Sequence, residues 1–240
     1  MNLKTACIIA FILMAVSILL YMGGSVLFYA MLFSHQVHVG SFISPVISVL
    51  TFFILSGGFI LLLIAIMNRL NKPDSGGAQS LFILAGGLIL LATLINLANM
   101  AITSVSLFQH LPRTQFFHYL YMVIPSFLAN LTLGLFAITQ AGNISGKSFA
   151  AVTLILHVIL LAIVLINVVR NLPNSFIHSG LIQNISNAAM SLGSLAHLAA
   201  IIFFLLMFLM HRPWPPQAEV LDPSPEPLPV LSAEAPLPEG

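Results

Sequence analysis

Two histidines lie where their imidazole groups could do chemistry inside a membrane. His157 and His197 each sit near the middle of a long apolar segment. Imidazoles on neighbouring helices can supply both axial ligands of a b-type haem iron. The pair therefore supports one hypothesis, a haem-binding electron carrier. The alternative is that each neutral imidazole hydrogen-bonds to another helix, with Asn130 and Asn167 as available partners.

The remaining ionisable and thiol groups form no recognisable catalytic or metal-binding set. Cys7 is the only cysteine, which excludes an intrachain disulfide, an iron–sulfur cluster and a cysteine-based zinc site. The apolar segments contain no Asp or Glu, and no phosphate-binding loop occurs. Five histidines at segment ends lack carboxylates or thiolates that would complete a metal site: His35, His38, His110, His118 and His178. We therefore predict no catalytic residues, no metal and a non-enzymatic protein.

Polar residues recur along the third apolar segment at alternating steps of four and three. The series, which begins at a small residue, is Ala92, Asn96, Asn99, Thr103, Ser106 and His110. This spacing places all of them on one face of a helix. Because lipid cannot satisfy an amide or a hydroxyl group, we expect that face to point into a helix bundle.

Weaker versions of the same pattern occur on other segments, around Asn130 in the fourth and His197 in the sixth. With the orientation given below, most of this polarity falls in the outer half of the membrane, above an apolar inner half. We expect an outward-facing vestibule that binds or passes a neutral small solute, lined by Asn96, Asn99, Thr103, Ser106, His110, Asn130 and His197. The alternative is that these groups only hold helices together.

These residues need a membrane-embedded scaffold, and the composition requires one. Only 5% of the 240 residues are charged, whereas soluble domains carry about 25%. Lipid must therefore cover most of the surface. Apolar runs of about 20 residues predict an all-α bundle of six transmembrane helices with short loops, roughly at 5–33, 43–67, 79–107, 117–140, 149–169 and 186–210. Together they make one membrane domain, residues 1–212, and the first run is expected to be an uncleaved anchor.

The basic residues indicate how this domain is oriented. Arg113 and Arg170 fall on one side of the membrane, and the other five fall on the opposite side: Lys4, Arg69, Lys72, Lys147 and Arg212. Because short cytosolic loops are enriched in Lys and Arg, we expect the second side to be cytosolic. The sequence thus predicts a multi-pass protein of the cell membrane with both termini in the cytosol.

Residues 213–240 differ in composition from the membrane domain. They are rich in proline and hold five of the six acidic residues: Glu219, Asp222, Glu226, Glu234 and Glu239. We expect a disordered cytosolic tail with polyproline II character. Its start, residues 213–216, could recruit a cytosolic partner, or Trp214 could anchor the last helix at the lipid headgroups.

The chain also allows a role within a larger assembly. In this alternative the protein is an accessory or structural subunit of a membrane complex, and its polar helix faces contact partner subunits. Binding of nucleic acid is not expected, because the few basic residues do not cluster on one water-exposed face.

Overall fold

The described part of the chain consists of six α-helices and short connections. The computed structural model describes residues 2–34, 43–72, 76–110, 113–142, 146–178 and 180–211, without the side chains at 34, 103–110, 113–120, 122 and 171–178. The helices are α1 (Leu3–Ser34), α2 (Ile43–Asn71), α3 (Gly76–His110), α4 (Arg113–Ala141), α5 (Lys147–His178) and α6 (Leu181–Met210). The predicted tail, residues 213–240, lies outside the described residues.

Each helix is long and apolar enough to cross a membrane. A hydrocarbon core about 30 Å thick needs about 20 helical residues, and the helices have 29 to 35. The predicted all-α bundle of six apolar helices is confirmed. Such a bundle is the architecture of a multi-pass membrane protein. Helices such as α5 extend beyond the predicted apolar runs, because hydropathy marks only the lipid-embedded part of a helix.

The six helices form a closed ring in chain order. Each helix packs against its neighbours in the sequence, and α6 packs against α1 in the most extensive contact of the bundle. Short connections force this arrangement, since consecutive helices must be antiparallel neighbours. No short connection brings α1 and α6 together, because these helices lie at opposite ends of the described chain, so their contact depends on packing alone.

Hydrogen bonds from basic residues place several helix ends on one face of the bundle. Lys4 Nζ donates to Asn71 Oδ1 over 3.2 Å, and Lys147 Nζ donates to the His211 carbonyl oxygen, also over 3.2 Å. Arg69 donates to the carbonyl oxygen of Gln140 at the end of α4. Cations at helix carboxyl ends are favourable because the helix dipole is negative there. We call this side the basic face, and the other side the distal face.

An apolar core fills the half of the bundle next to the basic face. Four fully buried phenylalanines from α2, α4 and α6 meet at its centre: Phe59, Phe136, Phe204 and Phe208. The rings pack edge to face, with centroids 5.7 Å apart between α2 and α6 and 5.1 Å apart between α4 and α6. Buried aliphatic side chains of α1 and α3 belong to the same cluster. This half of the ring is closed by hydrocarbon.

Glycines allow three pairs of helices to approach closely. A Cβ atom at Gly58 of α2 would lie 3.2 Å from the Ala85 carbonyl oxygen of α3. One at Gly86 of α3 would lie 2.9 Å from the Gly134 carbonyl oxygen of α4. Gly24 of α1 lies as close to α6. Small residues commonly allow such backbone contact between membrane helices.

Candidate functional site

Most buried side chains in the distal half of the bundle are polar. The described ones are Ser25, Thr51, Thr93, Asn99, Asn130, Asn167, Asn184 and Ser186, while Ala129 and Ile163 are apolar exceptions. The basic half shows the opposite composition, because most of its buried side chains are apolar and Gln140 and Thr153 are among the few polar ones. Polarity inside the ring therefore changes with depth, and the candidate site is the distal polar half.

Asn99 joins α3 to α2 within this half. Its Nδ2 atom lies 3.3 Å from Ser48 Oγ and 3.5 Å from the Ser44 carbonyl oxygen. These α2 residues lie one helical turn apart, so they present a row of oxygens to the amide. Asn96, three residues earlier on α3, is half-buried. The polar face of α3 thus lies against α2 and towards the interior.

Buried asparagines occur on four consecutive helices. Asn99 of α3, Asn130 of α4, Asn167 of α5 and Asn184 of α6 are all more than nine-tenths buried. Each amide has donors and an acceptor, and none carries charge. The distal half is therefore equipped for hydrogen bonding to a neutral group, without a fixed charge that would favour an ion.

His197 lies deeper, near the middle of α6. It is 4% exposed, and its Nδ1 atom lies 3.2 Å from Ser56 Oγ of α2. The ring of Phe52, one turn earlier on α2, packs against the imidazole with centroids 5.2 Å apart. Tyr21 of α1 stacks on the Phe52 ring, with centroids 3.9 Å apart. Side chains from α1, α2 and α6 thus hold His197 at mid-depth.

His157 lies on α5 and is fully buried. Its Nδ1 atom lies 2.8 Å from the carbonyl oxygen of Thr153, one turn earlier on the helix. Helix α5, which carries His157, packs against α6, which carries His197. The Nε2 atoms of both rings are buried and have no hydrogen-bond partner among the described residues.

The residues predicted to line a vestibule do not all lie at one level. Asn99 contacts α2 at Ser48, whereas His197 contacts it at Ser56. Eight residues separate these serines, or about 12 Å along the helix axis. Asn130 is buried at an intermediate depth on α4. The side chains of Thr103, Ser106 and His110 lie outside the described part of the structure.

Reasoning from the sequence did not identify two of the groups that this region contains. Ser56 was not singled out, because a lone serine beside a Gly-Gly pair is common in apolar helices. Asn184, in the first turn of α6, was not singled out either, and the structure buries it. An asparagine within an apolar run is itself the signal that could have found it.

The arrangement of the histidines has different consequences for a metal ion and for haem. Within the described ranges no three His, Cys, Asp or Glu side chains come together to hold a metal ion. For haem, the Nε2 atoms are suitable ring nitrogens. However, Leu160 and Leu198, which lie beside the two histidines in sequence, pack with Ala129 in a buried apolar cluster. A porphyrin between the imidazoles would have to displace such side chains, and haem binding stays a prediction.

Comparison with known proteins gives no match for this chain. No family model, no curated protein and no solved structure is significantly similar to it. The chain is a bundle of six helices that are long and apolar enough to cross a membrane, with a polar distal interior.

Proposed function

We propose that this protein is a non-enzymatic multi-pass membrane protein whose distal half binds or passes a neutral small solute. The observation that carries this proposal is the change of polarity with depth inside the ring. Buried amides and hydroxyls occupy the distal half, and packed hydrocarbon occupies the basic half. A polar interior that opens towards one side of a membrane is suited to bind solute from that side.

The chemistry of the distal half favours an uncharged solute. Asparagine, serine, threonine and neutral histidine can donate and accept hydrogen bonds. The apolar segments contain no Asp or Glu, the residues that ion-coupled transporters commonly use inside the membrane. A solute that exchanges hydrogen bonds with amides needs no compensating charge, whereas an ion would need one.

The closed basic half favours binding over passage in this conformation. The phenylalanine cluster around Phe204 lies between the polar region and the basic face. Passage of a solute would therefore require α2, α4 and α6 to separate in a second conformation. Binding requires no such change, and it is the simpler function of the ring as it stands.

Accessibility to a water-soluble thiol reagent tests the proposal. In a Cys7→Ala background, which removes the only native cysteine, Asn96→Cys and Asn99→Cys should react with a membrane-impermeant maleimide added at the distal face. Two control positions on the same helix are Ala85→Cys, buried in the apolar half, and Leu94→Cys, 61% exposed on the lipid side. Neither control should react, because water reaches neither site. If Asn96→Cys and Asn99→Cys react no faster than these controls, the polar half is dry and the proposal is wrong.

The accessory-subunit alternative uses the same polar faces as contacts with other chains. In this structure the faces of α1, α2, α3 and α6 that carry Ser17, Ser48, Asn99 and Ser186 hydrogen-bond to this chain's own helices. Purification in mild detergent separates the two functions. A single monodisperse chain supports the solute binder, and a stoichiometric second chain supports the subunit. A Soret band in the same sample would indicate haem.

A further inference from the structure

One buried amide group next to the basic face has no hydrogen-bond partner. The side chain of Gln140, in the last turn of α4, is 1% exposed. Its Oε1 and Nε2 atoms both lack a partner among the described residues, so exchanging the two atoms would leave the amide equally unsatisfied. Buried polar side-chain atoms almost always have a partner, either in the protein or in a bound molecule. This amide therefore indicates a ligand that both donates and accepts hydrogen bonds.

The Gln140 amide lies against the start of α5. A Cβ atom at Gly146 would collide with Gln140 Nε2 and would lie 3.1 Å from Gln140 Cδ. Gly146 directly precedes Lys147, the first residue of α5, and its carbonyl oxygen accepts the N–H of Ala150 over 2.8 Å. The first N–H groups of a helix have no partner within it, and glycine has no side chain to cap them. Backbone donors and the unsatisfied amide thus occur together at the start of a long helix.

Two cationic side chains border this position. Arg69 of α2 donates to the main-chain carbonyl oxygen of Gln140, and its guanidinium carbon lies 5.6 Å from the centroid of the Phe82 ring on α3. Lys147 Nζ donates to the carbonyl oxygen of His211 over 3.2 Å. The described ranges contain no Asp or Glu, and the positive end of the α5 dipole lies at the same place. The charges around the amide therefore favour an anion.

The burial of the neighbouring residues places the site at the end of the ring and away from lipid. Phe82 and Phe136 are fully buried, and Gly146 is buried as well. Because these residues come from α3, α4 and the start of α5, the amide is enclosed by helices of the ring. Arg69 and Lys147 are only half-buried. A ligand can thus approach from the water at the basic face.

The two unsatisfied atoms of Gln140 discriminate between anions. Oε1 can only accept a hydrogen bond, and Nε2 can only donate. A carboxylate or a sulfate carries no proton at neutral pH, so it would leave Oε1 without a donor. Hydrogen phosphate has acceptor oxygens and one O–H group, and it would satisfy both atoms. Its charge would also be stabilised by the Arg69 guanidinium group and by the start of α5.

We propose that Gln140, Arg69 and the start of α5 form a binding site for a phosphate group that retains a proton. Free inorganic phosphate and the monoester headgroup of phosphatidic acid share this chemistry. The site lies at the opposite end of the bundle from the solute-binding half, and it does not depend on the function proposed for that half.

Thermal unfolding of the full-length protein in phosphatidylcholine nanodiscs tests the site. Sodium phosphate is compared with sodium chloride at neutral pH and equal ionic strength, and the apparent Kd follows from the rise in melting temperature. We expect phosphate to stabilise the protein in a saturable way. Sulfate should bind at least about fivefold more weakly, because one buried acceptor stays unsatisfied.

Nanodiscs that contain phosphatidic acid distinguish the two sources of phosphate. If the lipid headgroup occupies the site, the melting temperature should rise without free phosphate, and added phosphate should have no further effect. If the site takes free phosphate, the lipid should change neither the melting temperature nor the apparent Kd of phosphate. Either result supports the site, provided that it depends on Gln140.

The variant Gln140→Leu separates ligand binding from packing. Without phosphate it should be at least as stable as the wild type, because it removes an unpartnered buried amide. It should nevertheless weaken phosphate binding at least about tenfold. Arg69→Gln should also weaken binding, since it removes a charge-assisted donor. Lys4→Gln is the matched control, because Lys4 lies at the same face but bonds Asn71 over 3.2 Å. It should bind phosphate like the wild type.

Three results would overturn the inference. They are the absence of saturable stabilisation by either phosphate source, unchanged phosphate binding in Gln140→Leu, and an equal loss of binding in Lys4→Gln. The last would show a diffuse attraction to the basic face. Replacing the acidic residues of 213–240 by their amides tests the chain's own carboxylates as the ligand. If this lowers the melting temperature in the wild type but not in Gln140→Leu, a carboxylate occupies the site and the phosphate assignment is wrong.

Discussion

The hydroxyl group of Ser17 on α1 donates a hydrogen bond to the carbonyl oxygen of Gly193 on α6 over 2.8 Å. The same helices repeat the contact in the opposite sense, where the Ser186 hydroxyl of α6 donates to the Gly24 carbonyl oxygen of α1 over 2.7 Å. On each helix the serine and the glycine are seven residues apart, which places both on one face. Two equivalent contacts, two turns apart, thus close the ring between its first and last helices.

We call the contact of Ser17 and Gly24 on α1 with Ser186 and Gly193 on α6 the seam. Adding a methyl group at Gly24 should separate the two helices. A Cβ atom at Gly24 would lie 2.8 Å from the Ser186 carbonyl oxygen and 2.9 Å from the Met190 backbone nitrogen, and backbone atoms cannot turn aside. We expect Gly24→Ala to lower the free energy of unfolding by about 1–3 kcal/mol, measured by denaturation in detergent micelles.

The neighbouring glycine is the matched control for this substitution. A Cβ atom at Gly23 would meet no described heavy atom within 4 Å, so Gly23→Ala should leave stability unchanged or slightly raised. Gly58 and Gly57 of α2 repeat the comparison, with a close contact at the first and open space at the second. Equal effects at Gly23 and Gly24 would contradict the close approach of α1 and α6.

The serines of the seam should each contribute modestly to stability. Ser17→Ala and Ser186→Ala each remove a buried hydrogen bond between helices, for which we expect a loss of about 0.6 kcal/mol and at most about 1.7 kcal/mol. Ser194→Ala is the control, because its hydroxyl bonds only within α6, to the Met190 carbonyl oxygen over 3.0 Å. Unfolding measurements that show equal losses at Ser17 and Ser194 would argue against a specific seam.

Loss of a central phenylalanine should open a cavity in the basic half. Phe136 of α4 is fully buried and packs edge to face against Phe208. We expect Phe136→Ala to destabilise the protein by about 3–5 kcal/mol. Phe149→Ala on α5 should cost far less, since that ring is 41% exposed towards lipid. A similar melting temperature for both variants would show that the phenylalanine cluster does not hold this half together.

The basic face should lie in the cytosol. Lys4, Arg69, Lys72 and Lys147 lie at this face, and Lys/Arg-rich short loops are retained on the cytosolic side during insertion. A green fluorescent protein fused after residue 240 should therefore fluoresce, and alkaline phosphatase fused there should be inactive. Alkaline phosphatase fused after Arg170, at the far end of α5, should be active. The reverse pattern would invert the predicted orientation and make the polar half face the cytosol.

The sequence by itself determined the class of fold and which helix faces carry polar residues. In lipid a backbone must satisfy its own hydrogen bonds, so six apolar runs of sufficient length can only be helices. The spacing of Asn96 and Asn99, and of Gly193 and His197, likewise defines polar faces without reference to a partner. These properties follow from the local chain, and a single sequence is sufficient to derive them.

Only the tertiary structure decided which of these groups meet. The rotation of each helix about its axis determines which contacts form. It brings Ser56 to His197 and Asn99 to Ser48, and it turns Gly24, but not Gly23, towards α6. That rotation results from many weak packing contacts between helices distant in the chain, and no single residue sets it. The unpartnered nitrogens of His157 and His197 became visible for the same reason, since a missing partner can be recognised only when every neighbour is in place.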